Sequence, residues 1–408
     1  MSKKSKKKKN KNDKNIKYVI AICIVILIIE LGVFVSSLLF KHTESLYFDG
    51  INAIKKNDDY YVAVGSNNDN DLHYEKAKIS IYNSKREKLF EKLYNVGFNS
   101  AFFSVCLDDN GFVAVGSYEK TEEEHNNSIR RALIVKYDYD GNLLFEQDFQ
   151  LLDNSKFMGI ISYDNEYYAI GQSIYKSTKV GNDAGGAILV KYNKEGKMEW
   201  NRSIGSAKSG VFNDLYITES GIYAVGLLDD TIGLIAKYQF NGDIVFQREI
   251  EGISGTGLRG ILQADSSFYI SGSIKTENED GAILYKVNED GDILNSQLYN
   301  KVPNVYFHNL VYDGDSSIVV IGSSFTEKKS SEPTADMVNY DGLVVKYNLD
   351  LEMVTDAMYG DERDDYFTDI IYDKSDYLVV GYSSYEDGGY LSKFIHYSDA
   401  LKVLGVES

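Results

Sequence analysis

Three marks recur seven times along most of the chain at nearly fixed spacing. The first is an apolar residue, the second a glycine that closes an apolar run, and the third a tyrosine or valine after another apolar run. The first marks are Phe48, Phe102, Phe157, Phe212, Leu258, Phe307 and Phe367. The glycines are Gly65, Gly116, Gly171, Gly226, Gly272, Gly322 and Gly381. The third marks are Tyr82, Tyr137, Tyr192, Tyr238, Val287, Tyr347 and Tyr397.

The spacing is held in two segments of each repeat and varies in the third. The distance from a third mark to the next first mark is the same in every case. The distance from the first mark to the glycine is also the same in most repeats, but it is slightly longer in repeat six and longest in repeat one. The distance from the glycine to the third mark is more than twice as long in repeat six as in repeat four. Insertions confined to one loop are typical of a repeat array.

Each repeat predicts four strands, which in the fourth repeat are residues 212–218, 221–228, 233–239 and 243–251. The second strand is apolar at nearly every position, as a sheet covered on both faces requires. Glycines such as Gly141 and Gly196 supply the positive φ of a tight turn between the third and fourth strands. The repeats therefore predict an all-β fold, a seven-bladed β-propeller of four-stranded blades over residues 48–408. We expect each repeat to supply its own four strands.

One N-terminal transmembrane helix is predicted before the repeats. Residues 1–17 contain nine lysines, residues 18–40 form an apolar run, and residues 41–47 form a short linker. A run of this length spans a bilayer core of roughly 30 Å, and the lysines place the N-terminus in the cytoplasm and the propeller outside. A cleavable signal peptide is the alternative, disfavoured by the length of the run. Glu30, near the middle, is either a contact with another membrane helix or a tolerated, protonated residue.

Charge excludes some partners. The net charge is −18, but residues 1–41 are basic, and the remainder carries 33 basic and 59 acidic groups. Such an acidic ectodomain repels nucleic acid and anionic lipid. The partners that we expect are a membrane or cell-surface protein or a wall component.

Several segments resemble the repeats of bacterial surface β-propeller proteins. That family has the patterns aromatic-x-Asp-Ile, Val-Gly-Tyr-Ser and Lys-Tyr-Asp-x-Asp-Gly-Asn. The matching segments here are residues 367–370, 380–383 and 136–142. The resemblance covers about residues 44–408 and implies the fold and a surface location rather than an activity. The chain departs from the family in having Trp200 as its only tryptophan, whereas relatives have one in most blades.

No catalytic residue is predicted, because the sequence has no nucleophile elbow, phosphate loop or His/Cys metal spacing. We expect no cofactor, with calcium as the alternative. The oxygen-rich segments 69–71, 138–140 and 361–365 are its candidate ligands. None of them fits the twelve-residue calcium loop, and Asp-Gly turns are also expected in hairpins of this type.

A series of small or polar residues lies two places after each first mark. Its members are Gly50, Ser104, Gly159, Asp214, Gly260, Asn309 and Asp369. If the first strands line the axis, these residues form a ring around the channel. The polar members, Ser104, Asp214, Asn309 and Asp369, are the candidate site for a ligand or ion. The alternative is that small residues are needed where seven strands crowd together.

The longest insertions, residues 117–131, 172–186 and 323–341, share one rim with the connections between blades. Insertions on one face often mark a binding face, although polar loops also drift in length. The sequence thus predicts a membrane-anchored, non-enzymatic binding or scaffold module whose variable rim faces the membrane. The alternatives are a wall- or glycan-active hydrolase and a ligand-sensing subunit of a membrane complex.

Overall fold

The computed structural model describes most of the repeat region. The described residues are 50–67, 75–94, 96–175, 185–206, 209–277, 280–328, 337–360, 364–384, 390–398 and 401–407. The basic tail, the predicted span 18–40 with Glu30, the linker and Phe48 lie outside them. Within these ranges, no helix is long and apolar enough to cross a bilayer.

Seven groups of four strands follow one another along the chain. Blade 1 contains β1 (Ile51–Lys56), β2 (Tyr60–Asn67), β3 (Lys76–Asn83) and β4 (Lys88–Tyr94). Blade 2 contains β5 (Phe98–Asp108), β6 (Gly111–Glu119), α1 (Glu122–Asn127), β7 (Arg131–Tyr137) and β8 (Leu143–Phe149). Blade 3 contains β9 (Asn154–Tyr163), β10 (Glu166–Ile174), β11 (Gly185–Tyr192) and β12 (Met198–Ser206). Blade 4 contains β13 (Gly210–Thr218), β14 (Gly221–Leu228), β15 (Ile232–Tyr238) and β16 (Ile244–Glu251).

The remaining three blades have the same composition. Blade 5 contains β17 (Ile253–Ala264), β18 (Ser267–Lys275), β19 (Asp280–Val287) and β20 (Ile293–Tyr299). Blade 6 contains β21 (Val305–Tyr312), β22 (Ser317–Lys328), β23 (Met337–Asn348) and β24 (Met353–Tyr359). Blade 7 contains β25 (Asp365–Asp373), β26 (Asp376–Ser384), β27 (Tyr390–Tyr397) and β28 (Val403–Glu407). In every sheet the spatial order of the strands is their order in the chain. The predicted seven-bladed propeller of four-stranded blades is confirmed.

An apolar cluster fills each interface between neighbouring blades, including the one between blades 7 and 1. The first and third marks of a repeat meet in these clusters. In blade 3, for example, the ring centroids of Phe157 and Tyr192 lie 6.2 Å apart in an edge-to-face contact. In blade 5 both marks are aliphatic, Leu258 and Val287, and they share one cluster. The marks are therefore core residues of the blade interfaces.

Every first strand carries a β-bulge directly after its first mark. The bulge pushes the carbonyl that precedes the mark toward the glycine of the second strand. A Cβ on Gly116, for instance, would lie 1.8 Å from the carbonyl oxygen of Ala101. The recurrent glycine therefore marks a close approach of two backbones, where no side chain fits.

The strand pairing next to the bulge shows that repeat one begins at a later residue than predicted. Gly65 pairs with Ile51, whereas the glycines of the other repeats pair with their predicted first marks. Ile51 lies as far before Gly65 as the first mark lies before its glycine in most other repeats. The assignment of the first mark to Phe48 is thus wrong, and the ring position of blade 1 is Ala53 rather than Gly50.

The described residues of the insertions 117–131 and 323–341 contain regular structure. In residues 117–131, α1 begins after Thr121, whose Oγ1 accepts a hydrogen bond from the backbone N–H of Glu124 at 3.1 Å. In residues 323–341, β22 and β23 continue as a paired hairpin as far as Lys328 and Met337. Because all sheets are antiparallel in chain order, these segments share one rim with the blade connections. We call it the variable rim.

Ion pairs join blade 7 to blade 1. The Asp373 side chain is 3% exposed and accepts Lys56 Nζ at 2.6 Å and Arg86 Nη2 at 3.0 Å. It also accepts the hydroxyl of Tyr61. Burial alone would raise the pKa of Asp373, but these hydrogen bonds outweigh burial and hold the pKa well below its ordinary value. Side chains therefore close the ring, and β28 belongs to the same repeat as the other strands of its sheet.

We expect Gly116→Ala to destabilise the propeller, because its methyl group would overlap the carbonyl oxygen of Ala101. A cost of about 3 kcal/mol, at the upper end for overpacking, would lower the melting temperature of a propeller of this size by roughly 4 °C. The matched control is Gly205→Ala, because a Cβ there meets nothing within 4 Å. Thermal unfolding followed by circular dichroism tests this, and equal melting temperatures for the two variants would contradict the role of the glycine.

We expect Asp373→Asn to weaken ring closure at neutral pH by about 2–3 kcal/mol, a value reduced for the partial exposure of Lys56 and Arg86. Because the folded-state pKa is depressed, the stabilisation is complete above the ordinary carboxyl pKa of about 4 and is lost as the pH falls below it. The gap in melting temperature between wild type and variant should therefore narrow from pH 7 to pH 3. The control is Asp109→Asn, an exposed turn residue. A gap that does not change with pH would refute this account of closure.

Candidate functional site in the axial channel

All seven first strands enclose a cavity of about 460 Å³ on the propeller axis. The first strand is the inner edge of its sheet, so its side chains and its free backbone groups face this space. The polar and charged side chains on the lining are Asn52, Lys55, Ser104, Asn213, Asp214, Arg259, His308, Asn309, Thr368 and Asp369. The cavity is therefore a polar channel with apolar stretches between the polar groups.

The bulges determine which side chains enter the channel. In each repeat, the residue directly after the first mark is unpaired in the ladder and lines the cavity. These residues are Asn52, Phe103, Met158, Asn213, Arg259, His308 and Thr368. We call them the bulge ring. This ring could not be predicted from the sequence, because strict alternation along a strand assigns adjacent residues to opposite faces.

The four predicted ring residues, Ser104, Asp214, Asn309 and Asp369, all lie on the lining of the channel. Gly260 is absent from the lining, and its neighbour Arg259 takes part instead. The contacts of Asp214, Asn309 and Asp369 bear on whether these side chains are available to a ligand.

Asp369 is fully engaged within the protein. Its Oδ1 accepts hydrogen bonds from Asn309 Nδ2 at 2.7 Å and from the backbone N–H of Ile370, the next residue, at 2.9 Å. Its Oδ2 accepts the N–H of Ile54 in blade 1 at 2.9 Å and Lys55 Nζ at 3.2 Å. Burial lowers the pKa of Lys55, but Asp369 and Asp214 outweigh burial and raise it. Asp369 therefore joins blades 6, 7 and 1.

Asp214 joins blades 4 and 5 in the same way. Its Oδ1 accepts the N–H of Leu215 at 2.9 Å, and its Oδ2 accepts the N–H of Ile261 at 2.8 Å. Burial nevertheless raises the pKa of Asp214 to about 7, because these two hydrogen bonds and the charge of Lys55 offset the burial only in part. Asp214 is thus a carboxyl group that titrates near neutral pH.

Three members of the bulge ring donate to a carbonyl oxygen in the next blade. Asn52 Nδ2 donates to Phe102 O at 2.7 Å, and Asn213 Nδ2 donates to Leu258 O at 2.8 Å. Thr368 Oγ1 donates to Ile51 O at 2.8 Å. In each pair the acceptor is the first mark of the next blade. These side chains connect blades at the inner edge of the sheets.

The two remaining polar members behave differently. His308 Nε2 lies 2.8 Å from Ser323 Oγ, and burial together with the charge of Arg259 lowers the pKa of His308 to about 3. The side chain of Arg259 makes no hydrogen bond or ion pair with any residue that the structure describes. Burial lowers its pKa, and the charge of Asp214 offsets this only in part. His308 is therefore neutral at pH 7, whereas the guanidinium of Arg259 is charged and has no partner among the described residues.

A row of partly exposed aromatic rings leads from blade 6 into the channel mouth. We define the aromatic ledge as Tyr306, Phe325, Tyr340, Tyr366 and Tyr382. Successive ring centroids along it lie 6.2, 5.4, 4.6 and 5.0 Å apart. Tyr366 and Tyr382 also line the cavity. The ledge therefore joins the variable rim to the channel. It could not be predicted from the sequence, because its rings come from separate strands.

Of the calcium candidates, only the segment 138–140 is fully described. Asp138 Oδ1 accepts the N–H groups of Asp140 at 3.0 Å and Asn142 at 2.7 Å, which closes the turn. No group of three or more His, Cys, Asp or Glu side chains that could hold a metal ion occurs in the described part of the chain. Residues 69–71 and 361–363 lie outside it, so calcium binding stays a prediction.

We expect Asp214 to make stability depend on pH between about 4 and 7. The folded state retains the proton of Asp214 to higher pH than the unfolded state does, so the wild type loses stability as the pH rises through this window. Asp214→Asn removes the titration and should show a flatter profile of melting temperature against pH. Asp109→Asn is the control and should follow the wild type. Parallel profiles for wild type and Asp214→Asn would contradict the raised pKa.

No family model and no curated protein matches the chain. Solved structures do match: the Dos1 propeller is 8% identical, with a TM-score of 0.50 over 86% of this chain and 95% of that chain. The β-propeller domain of the Trilobed protease from Pyrococcus furiosus, whose topology is described as an open velcro, is 8% identical, with a TM-score of 0.49 over 90% and 97%. Sqt1 from Chaetomium thermophilum is 12% identical, with a TM-score of 0.46 over 86% and 97%. At 8% identity, the likeness to the Dos1 propeller shows the β-propeller fold alone.

Proposed function

We propose that this protein is a membrane-anchored, non-enzymatic binding or scaffold module that engages a cell-surface or membrane partner through its variable rim. The observation that carries the proposal is the aromatic ledge, which leaves five rings partly exposed beside the channel mouth. Grouped, half-exposed aromatic rings supply large contact area at low conformational cost and are typical of recognition surfaces.

The variable rim concentrates the features that a partner would meet. It carries α1, the extended β22–β23 hairpin and the mouth of the channel. The opposite rim carries the short turns within each blade, such as residues 109–110 and 164–165. Specificity in propellers and other repeat folds resides where per-repeat insertions gather, which favours the variable rim as the contact face.

The contacts in the channel speak against hydrolysis as the function. A catalytic carboxylate must present an oxygen to its substrate or to a water molecule. Both oxygens of Asp369 and both of Asp214 already accept hydrogen bonds from the protein. His308 is a poor general base, because its pKa lies far below neutral and its Nε2 contacts Ser323.

The membrane anchor in this proposal is residues 18–40, with the N-terminus in the cytoplasm and the propeller outside the cell. Only residues 41–50 separate that segment from β1, a reach of about 35 Å when fully extended. The partner would thus lie close to the bilayer, where Glu30 would contact another membrane helix. The resemblance to bacterial surface propellers supports the same location.

We expect a photo-reactive phenylalanine analogue at position 340 to cross-link a membrane or surface partner in native membranes. The control carries the analogue at position 294 on the outer strand β20, where the Leu294 side chain is 56% exposed. The double variant Tyr306→Ala/Tyr366→Ala should lower the yield from position 340 about tenfold, as loss of aromatic anchors does at interfaces. Mass spectrometry of the adducts identifies the partner.

Equal yields from positions 340 and 294, or an unchanged yield in the double variant, would refute the proposal. The hydrolase alternative is tested separately by incubating the purified full-length protein with labelled wall fragments and glycans. A binding module leaves these fragments intact, whereas the release of shorter products would favour the hydrolase.

A further inference from the structure

Arg259 is the member of the bulge ring that the fold does not use. Asn52, Asn213 and Thr368 each hydrogen-bond a neighbouring blade, and His308 contacts Ser323. The guanidinium of Arg259 lines the same cavity with no hydrogen bond or ion pair to any described residue. Arg259 is partly exposed to this cavity. A partly buried guanidinium without a partner in the protein does not stabilise the fold, so a structural role does not explain it.

The surroundings of Arg259 offset its charge only in part, through Asp214. The ammonium group of Lys156, directly before the bulge of β9, also has no hydrogen bond or ion pair to a described residue. Burial and the charges of Arg130 and Arg259 lower the pKa of Lys156. The carboxylates of the channel are engaged elsewhere, Asp369 with Lys55 and Asp214 with backbone N–H groups. A positive potential therefore exists in this part of an otherwise acidic propeller.

The shape of the channel limits what an anion could carry with it. The aromatic ledge enters the cavity at Tyr366 and Tyr382, and the apolar side chains of Phe103 and Met158 project from blades 2 and 3. A cavity of about 460 Å³ holds one sugar ring or one terminal amino acid but not a folded chain. The residues after position 41 carry 33 basic and 59 acidic groups, which repel a polyanion.

We propose that Arg259 binds the single carboxylate of a ligand whose uncharged remainder lies against the aromatic ledge. This inference rests on the proposed binding function and names the chemistry of the ligand. A guanidinium binds a carboxylate through two parallel hydrogen bonds, which fixes the orientation of the ligand as well as its affinity. Acidic sugars and peptide C-termini both offer such a group.

The test is calorimetric titration of the full-length protein in detergent micelles with four probes. These are glucuronate, its neutral counterpart methyl glucoside, an N-acetylated dipeptide ending in tyrosine, and the C-terminal amide of that dipeptide. We expect at least one carboxylate to bind about tenfold or more tightly than its neutral counterpart. Binding of glucuronate alone identifies an acidic sugar as the ligand, and binding of the peptide acid alone identifies a C-terminus.

Arg259→Gln should remove this preference for the carboxylate. The control Arg248→Gln removes an exposed arginine from the outer strand β16 and should leave the preference intact. Because Arg259 has no partner among the described residues, Arg259→Gln should melt at or above the temperature of the wild type.

Three outcomes would overturn the anion site. They are equal affinities for charged and neutral probes, no binding of any probe, and a fall in melting temperature of Arg259→Gln as large as that of Gly116→Ala. Cross-linking from the aromatic ledge without any carboxylate preference would preserve the binding module and reject only this site.

Discussion

The structure depends on a close approach of two backbones at the inner edge of each sheet. The bulge after each first mark drives a carbonyl against the facing strand, and only the absence of a side chain at the recurrent glycine permits it. A bulge also increases the local twist of a strand and turns its side chains. The same device thus bends the inner strands around the axis and exposes two successive residues to the channel in every blade but the fifth, where Arg259 alone takes part.

At these two positions of a blade, a side chain either joins neighbouring blades or is available to a ligand, and the two roles compete. Asn213 and Asp214 tie blade 4 to blade 5, and Thr368 and Asp369 tie blade 7 to blade 1. Blades 2 and 3 have Phe103 and Met158 at the first of these positions, so their interfaces rely more on apolar packing. A polar side chain that joins two blades by hydrogen bonds is not available to a ligand. Arg259 differs, because it makes no hydrogen bond or ion pair with any described residue.

Much of the fold could be predicted from the spacing of the marks. The first and third marks pack in the interfaces between blades, so neither can shift along the chain without losing these contacts. The longer distance from first mark to glycine in repeat one was itself the signal that Phe48 is not a first mark, since Ile51 restores the common spacing. The bulge ring could not be predicted, because the extra residue that a β-bulge adds to a strand does not show in the pattern of apolar residues. The free state of Arg259 could not be predicted at all, since it depends on which neighbours already have partners. The helix α1 had a signal, the Thr121-x-x-Glu124 capping pattern, within a segment assigned to a loop.

Closure by side chains has a consequence for how such a molecule can change over generations. Among the described strands, none is shared between the first and last blades, and each of the seven sheets takes its four strands from one repeat. Duplication or loss of a whole repeat would leave no orphan strand and no half-built sheet. The number of blades is then limited by the angle that each blade occupies around the axis. It is also limited by how well the two blades that become neighbours pack against each other. Evolution could therefore resize the channel in whole-blade steps, while each blade adjusts its own two channel residues independently.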